Sequence, residues 1–198
     1  MRFFRPWLPN DSKRVIELGA GYCDWINSLP VPERYAVDVA EMVREYVGSG
    51  VTPVVAKAHQ LTFAHDNSVD VVLASNLFEH LTHREADETF CEIWRVLRPG
   101  GRLFIVQPNF RYAWREYFDD YTHLTIYTDQ GLSGQLMVNG FVPVQVWPRL
   151  LPFSFKSVSF PAPAFLIRLY LYSPWKPCAK QMALIMEKQV ATVAALVP

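Results

Sequence analysis

The first residues that could take part in chemistry are two acidic side chains with a glycine turn between them. Glu17 lies in a short apolar run that ends at Gly19, and Gly21 follows two positions later. Asp38 ends a second apolar run. The glycines let the backbone turn tightly and approach a ligand closely, and ligands of open parallel sheets bind at the carboxyl ends of the strands. The two acids are therefore predicted to face one crevice, where a carboxylate can hold a cationic group or both hydroxyls of a ribose.

A dinucleotide-binding enzyme is a weaker interpretation of the same turn. The fingerprint G-x-G-x-x-G needs a third glycine at position 24, where this chain has Asp24. A further interpretation is that Glu17 and Asp38 only accept hydrogen bonds from nearby backbone. Two acids at two strand ends favour the ligand-binding interpretation.

His123 is the candidate general base. It lies with Asp120 in the long aromatic connection 108–125, which follows a predicted strand. Loops of this length in a compact domain are often functional, and an Asp beside a His can orient the ring and raise its basicity. His123 and Asp120 are therefore predicted to take a proton from a hydroxyl acceptor. The alternative is a structural histidine that ties the loop down.

A metal site is not predicted. The five histidines are His59, His65, His80, His83 and His123, and their spacing shows no convincing ligand pattern. His80 is a weaker candidate for a catalytic role than His123. The neighbouring Glu79 is equally well interpreted as a cap of the nearby helix.

Alternating strands and helices must position these residues. Strands are predicted at residues 13–18, 33–38, 51–56, 69–74, 102–107, 141–147 and 181–187, and helices at 22–29, 40–47, 84–97 and 128–139. The helix 84–97 has an apolar face of Ala86, Phe90, Ile93, Trp94 and Leu97, and is predicted to be stopped by Pro99-Gly100-Gly101. Thr128 is predicted to cap the last helix. The alternation predicts an α/β fold with a doubly wound sheet.

Composition predicts one domain over residues 1–198. Apolar residues make up 51% of the chain, and Lys plus Arg equals Asp plus Glu at 19 each. That balance argues against a broad nucleic-acid surface, so no nucleic-acid partner is predicted. The three cysteines form no C-x-x-C pair, the first ten residues contain no signal-peptide core, and no apolar run reaches membrane-spanning length. These features predict a cytoplasmic protein without a membrane span.

Two segments lie outside the alternating pattern. Residues 2–11 are predicted to be a surface arm that packs Phe3, Phe4 and Trp7 on the domain. Residues 150–177 are rich in aromatic residues and proline, and are predicted to be an insertion or lid before the last strand. The alternatives for this second segment are an apolar substrate wall, a dimer contact or a peripheral membrane contact. The oligomeric state is left open.

The motifs, taken in order, resemble those of the class I S-adenosylmethionine-dependent methyltransferases, in their small-molecule branch. The matching segments are Glu17-Leu18-Gly19-Ala20-Gly21, Asp38, residues 61–72, residues 76–81 and residues 95–101. The match spans about residues 15–140, with a fainter match at 181–188. Cys23 replaces a third glycine found in many members, and Lys57 stands where an acid often precedes the adenine-contacting residues.

The resemblance implies S-adenosyl-L-methionine as the cofactor. The residues that it implies for cofactor binding are Glu17, Gly19, Ala20, Gly21, Asp38, Val39, Ala58, His59, Ser75 and Asn76. It also implies a Rossmann-like methyltransferase fold, which is a mostly parallel seven-stranded sheet with helices on both faces. The seventh strand, at 181–187, would run antiparallel beside the strand at 102–107.

The function predicted from this resemblance is methyl transfer to a small-molecule acceptor, at an oxygen atom. One alternative is a lipid or quinone-like acceptor, which the aromatic segment 150–177 suggests. The other alternative is a binding module that holds the cofactor without turnover, which Lys57 and the absent third glycine suggest.

Overall fold

The computed structural model describes residues 3–152 and 164–189, which form one seven-stranded sheet with helices packed against it. The strands are β1 Arg14–Leu18, β2 Glu33–Asp38, β3 Val51–Val55, β4 Val69–Ser75, β5 Leu97–Pro108, β6 Phe141–Pro152 and β7 Ala179–Lys188. The α-helices are α1 Asp24–Asn27, α2 Val43–Tyr46, α3 His83–Val96, α4 Phe110–Ala113, α5 Asp129–Val138 and α6 Ala164–Tyr172.

The strand order makes this a doubly wound sheet. The order is β3-β2-β1-β4-β5-β7-β6. β1 pairs in parallel with both β2 and β4, whereas β7 is antiparallel to β5 and β6. The order reverses between β1 and β4, so a crevice opens at the carboxyl ends of these two strands. The predicted fold class is confirmed, including the antiparallel seventh strand beside β5.

Two hydrophobic clusters, one on each face of the sheet, form the core. Successive strand residues point to opposite faces, so on β1 Ile16 belongs to one cluster and Val15 to the other. Phe90 of α3 and Leu132 of α5 cover the first face, and Ile26 of α1 covers the second. Both faces are therefore buried, which explains why the central strands are continuously apolar.

α3 begins and ends differently from the prediction. Thr82 and Glu85 form a reciprocal capping box at its start. At its end Leu97 already has extended backbone angles, so β5 begins there and Pro99-Gly100-Gly101 lies within the strand. The prediction that these three residues stop the helix is wrong. Trp94 also departs from the predicted apolar face, because it lies at the edge of the buried stripe and is 42% exposed.

Two of the other helices are shorter than predicted, and two helical segments in the connection 108–125 were not predicted. α1 and α2 span four residues each, shorter than predicted. α1 starts late because Cys23 holds the left-handed conformation just before it. The connection 108–125 contains α4 and a 3₁₀ helix at Tyr117–Asp119. The predicted cap of α5 is confirmed, since the Thr128 hydroxyl accepts a hydrogen bond from Gly131 N–H.

The N-terminal arm packs as predicted. Phe4 is buried and contacts the rings of Phe104 and Trp147. In the segment 150–177, residues 153–163 lie outside the described residues, and α6 follows them. The lid role of this segment stays a prediction. No helix within the described residues is long and apolar enough to cross a membrane.

Candidate active site

A cavity of about 350 Å³ opens at the carboxyl end of β2. Asp38 lies in its wall, with Oδ2 accepting a hydrogen bond from Gly21 N–H and Oδ1 from Ala40 N–H, each at 2.9 Å. Val39 is 68% exposed beside it. Each carboxylate oxygen keeps a further lone pair for a ligand, so Asp38 both shapes the turn and can accept hydroxyl groups.

The turn from β1 to α1 closes one side of this cavity. Gly19 has φ +62° and Gly21 has φ +47°, a region that only glycine adopts at little cost. A Cβ on Gly19 would lie 3.1 Å from Leu77 Cδ1, so a side chain there would also have to displace Leu77 slightly. Ala20 is buried, and its N–H donates to Val37 O, which joins the turn to β2.

The opposite wall is the connection between β3 and β4, which carries Ala58 and His59. Arg95 of α3 holds this connection by donating to the carbonyl oxygens of Leu61 at 3.2 Å and Ala64 at 3.1 Å. An element far away in sequence therefore sets the position of the two residues predicted to contact adenine.

Glu17 lies beneath the turn. It lines neither this cavity nor the larger cavity that adjoins it at the same edge of the sheet. It is 4% exposed, and its Oε2 accepts a hydrogen bond from Ile26 N–H at 2.9 Å. Burial, with a smaller contribution from Asp24, raises the pKa of Glu17 to about 8. The structure thus shows Glu17 supporting α1, and direct contact with a ligand stays a prediction.

A second cavity, of about 750 Å³, adjoins the first. Asn76 and His80 line both of them, and Ser75 lines the larger one. The larger cavity is acidic, because Asp24, Glu79, Asp119 and Asp120 line it and no Lys or Arg does so among the described residues. The two cavities meet near the end of β4, where ligands in one would face ligands in the other.

His123 lies in the wall of the larger cavity and is 8% exposed. Its Nδ1 lies 2.6 Å from Tyr117 O, so Nδ1–H donates to this carbonyl and the lone pair of the neutral ring is on Nε2. Burial is the largest cause that lowers the pKa of His123, so the ring is neutral at neutral pH. Asp120 Oδ2 is 4.0 Å from Nε2. The hydrogen bond that orients the ring therefore comes from a backbone carbonyl, whereas the sequence predicted Asp120.

Asp120 acts on a different histidine through Thr122. The Thr122 hydroxyl donates to Asp120 Oδ1 at 2.5 Å. Because its hydrogen is used there, Thr122 Oγ1 accepts a hydrogen bond from His80 Nδ1 at 2.9 Å. The Thr122 carbonyl also lies 3.2 Å from His80 Nδ1. His80 Nδ1 is therefore a donor, and the lone pair of this ring too is on Nε2.

Comparisons with known proteins relate this chain to methyltransferases. Residues 16–105 match the family described as methyltransferase domain. The malonyl-[acyl-carrier protein] O-methyltransferase of Methylococcus capsulatus is 31% identical over 162 residues, which cover 73% of this chain and 58% of that protein. This chain thus spans less than two thirds of the length of that relative.

Solved structures share the fold. A SAM-dependent methyltransferase from Archaeoglobus fulgidus has a TM-score of 0.70 at 18% identity, covering 93% of this chain and 91% of that one. A putative methyltransferase from Bacillus halodurans has a TM-score of 0.68 at 15% identity, covering 96% of this chain and 98% of that one. The chain therefore shares the fold of S-adenosylmethionine-dependent methyltransferases, and residues 16–105 carry the match to the methyltransferase domain.

Two residues gain a place in this site from the structure: Glu79, which the sequence suggested only as a helix cap, and Glu85. Glu79 is fully buried in the wall of the larger cavity, and no other described residue donates a hydrogen bond to its carboxyl oxygens. Burial raises its pKa to about 8. Glu85 lines the smaller cavity together with Lys57, and so brings an acid to the region where the sequence lacks one. The motif 76–81 drew attention to Glu79, but its burial depends on residues far along the chain.

Proposed function

We propose that this methyltransferase transfers the methyl group of S-adenosyl-L-methionine to an oxygen atom of a small-molecule acceptor. The observation that carries the proposal is the pair of adjoining cavities at the carboxyl edge of the sheet, joined at Asn76 and His80. The cofactor supplies the reactive methyl group, and the protein positions the two reactants.

The residues of the smaller cavity fit the cofactor. Asp38 offers two carboxylate oxygens for ribose hydroxyls, and Val39, Ala58 and His59 offer surface for an adenine ring. The turn at residues 19–21 would hold the methionine moiety, with Ser75 and Asn76 near the junction of the cavities. This set agrees with the residues that the family resemblance implies for cofactor binding.

The larger cavity supports a small acceptor. Its volume of about 750 Å³ lies within the range of small-molecule sites. The Methylococcus relative is named as an O-methyltransferase, which supports oxygen as the methylated atom. The acidic lining opposes an anionic acceptor, so we propose an acceptor that is neutral or cationic.

His123 stands on the acceptor side of this arrangement. A neutral imidazole there can take the proton of an acceptor hydroxyl, which is the role predicted from the sequence, with Asp120 nearby.

Calorimetry followed by a methyl-transfer assay tests the proposal. We expect S-adenosylmethionine to bind one site per chain, and neutral hydroxyl acceptors to be methylated in preference to matched carboxylate acceptors. Quinone-like acceptors belong in the same panel, because the sequence analysis left them as an alternative. Absence of cofactor binding would refute the proposal. Cofactor binding without transfer to any acceptor would instead favour the non-catalytic binding module.

A further inference from the structure

We propose that Glu79, His80 and His123 bind a divalent transition-metal cation in the wall of the acceptor cavity. One ligating atom from each of the three lies within 4.8 Å of the others. Tetrahedral zinc with bonds near 2.0–2.1 Å needs ligand atoms about 3.4 Å apart. Shifts of less than about 1 Å per side chain would therefore close the site.

The surroundings of the Glu79 carboxyl group support a bound cation. It is fully buried and lines the cavity, and within residues 3–152 and 164–189 no other residue donates a hydrogen bond to either oxygen. A buried carboxyl group holds a negative charge at low cost only when a counter-charge accompanies it, and buried charges in proteins are normally paired or bound to metals. Among the described residues, no Lys or Arg lines this cavity, so a cation from solution is the available counter-charge.

Both imidazoles already make the hydrogen bond that metal-ligating histidines usually make. A ligating histidine normally donates its second N–H to a carbonyl or carboxylate, which fixes its tautomer. His123 Nδ1 donates to Tyr117 O, and His80 Nδ1 donates to the oxygens of Thr122. In the tautomer that these hydrogen bonds fix, Nε2 is the ligating nitrogen of each ring, and Asp120 supports the His80 ring through the Thr122 hydroxyl.

The ligand set indicates the class of cation. Two imidazole nitrogens with one carboxylate suit zinc or divalent iron and manganese better than magnesium, which prefers oxygen ligands alone. Asp24, Asp119 and Asp120 line the same cavity and favour cation entry. Three protein ligands leave a coordination position open to the cavity, as in catalytic rather than structural zinc sites.

The inference goes beyond the proposed methyl transfer and does not depend on it. It assigns His123 Nε2 to a metal ion, in place of the predicted role as a base. A metal-bound hydroxyl loses its proton more readily than a free one, so an occupied site would serve an oxygen acceptor by a different route.

Isothermal titration of the metal-free full chain with Zn²⁺ tests the site. The exposed thiols of Cys91 and Cys178 are first alkylated, because thiolates also bind zinc. We expect one Zn²⁺ per chain, and affinity lowered at least roughly tenfold in both Glu79→Gln and His80→Ala. His65→Ala removes an exposed imidazole elsewhere and should bind as the wild type does.

Binding that is absent in the wild type, or that survives both substitutions, would overturn the inference. If Glu79→Gln does not fold, as judged by circular dichroism, the half-buried His80 carries the test through His80→Ala. Titration of the metal-free protein with S-adenosylmethionine reports the cofactor site separately. A protein that binds the cofactor but no zinc would leave the proposed methyl transfer intact and return His123 to the role of a base.

Discussion

At the scale of single residues, carboxyl groups decide how this site works. Three acids near one sheet edge have three environments. Asp38 lines the smaller cavity, Glu17 accepts a backbone hydrogen bond beneath the turn, and Glu79 is buried with no hydrogen bond from another described residue. The same functional group therefore serves a ligand, a helix and, as we infer, a cation. The surroundings of each carboxyl, and not its chemistry, separate these roles.

Replacing Asp38 by Ala should weaken S-adenosylmethionine binding at least roughly tenfold, since each hydrogen bond to a charged group contributes about 1.5–3 kcal/mol. The measurement is calorimetric titration. Asp38→Asn keeps one acceptor oxygen for the turn and should lie between the wild type and the Ala variant. Glu41→Ala, an exposed acid nearby, is the matched control and should bind normally. Unchanged affinity in Asp38→Ala would remove the assignment.

The raised pKa of Glu17 predicts a pH-dependent stability. Its pKa in the folded protein is about 8, against an ordinary pKa of 4.5 for a glutamate side chain, so the folded state binds more protons between these values. Stability therefore falls as pH rises from about 5 to 8. Glu17→Gln should reduce this fall by up to a few kcal/mol. Urea unfolding at pH 5 and pH 8 measures it, and equal pH dependence in both proteins would contradict the prediction.

At the scale of elements, contacts between distant segments hold the site together. Lys188 of β7 is buried, and its Nζ donates to Asn67 Oδ1, Trp94 O and Leu97 O at 2.6–2.8 Å. Two of these acceptors lie at the end of α3, where carbonyl groups lack helical partners. The ammonium also lies 3.9 Å from the centroid of the Trp94 ring. The last strand thus caps the helix that holds the wall of the cofactor cavity through Arg95.

Lys188→Met should lower the free energy of unfolding by roughly 2–4 kcal/mol, because buried acceptors lose their charged donor. Lys180→Met, in the same strand, removes a partly exposed ion pair with Glu116 and should cost less than about 1 kcal/mol. Chemical denaturation of the two variants gives the comparison. Equal losses of unfolding free energy in the two variants would show that the hydrogen bonds from Lys188 to the end of α3 contribute no more than an exposed ion pair.

At the scale of the whole molecule, the N-terminal arm contacts elements from both halves of the chain. The N-terminal arm packs on the second face, where Phe4 contacts Trp25, Phe104 and Trp147. Trp147 belongs to β6, which reaches the sheet only through β7. The arm therefore joins the first and last parts of the fold into one core.

Phe4→Ala should lower the stability by roughly 3–5 kcal/mol, the usual cost of deleting a buried aromatic side chain. Phe165→Ala, on α6, removes an exposed ring and should change stability by less than about 0.5 kcal/mol. Thermal and urea unfolding would report both changes. A small loss in Phe4→Ala would mean that the arm only rests on the domain.

The sequence alone determined those features that depend on residues a few positions apart. The bounds of β2 at Glu33–Asp38, the cap at Thr128 and the glycine turn after β1 were predicted from local patterns. Strand periodicity, capping and positive φ are set by near neighbours, so they can be read directly from the chain. The order of the motifs then indicated the fold class and the family.

Only the tertiary structure decided the environments of the chemical groups. Tyr117 O orients His123, Ile26 N–H occupies Glu17, and Glu79 is enclosed beside His80. Each of these depends on packing between elements that lie apart in sequence, or on a backbone carbonyl that any residue type could supply. Burial also sets the pKa of each group through desolvation. The kinds of side chain at this sheet edge were therefore predictable, whereas their partners and charge states followed from the fold.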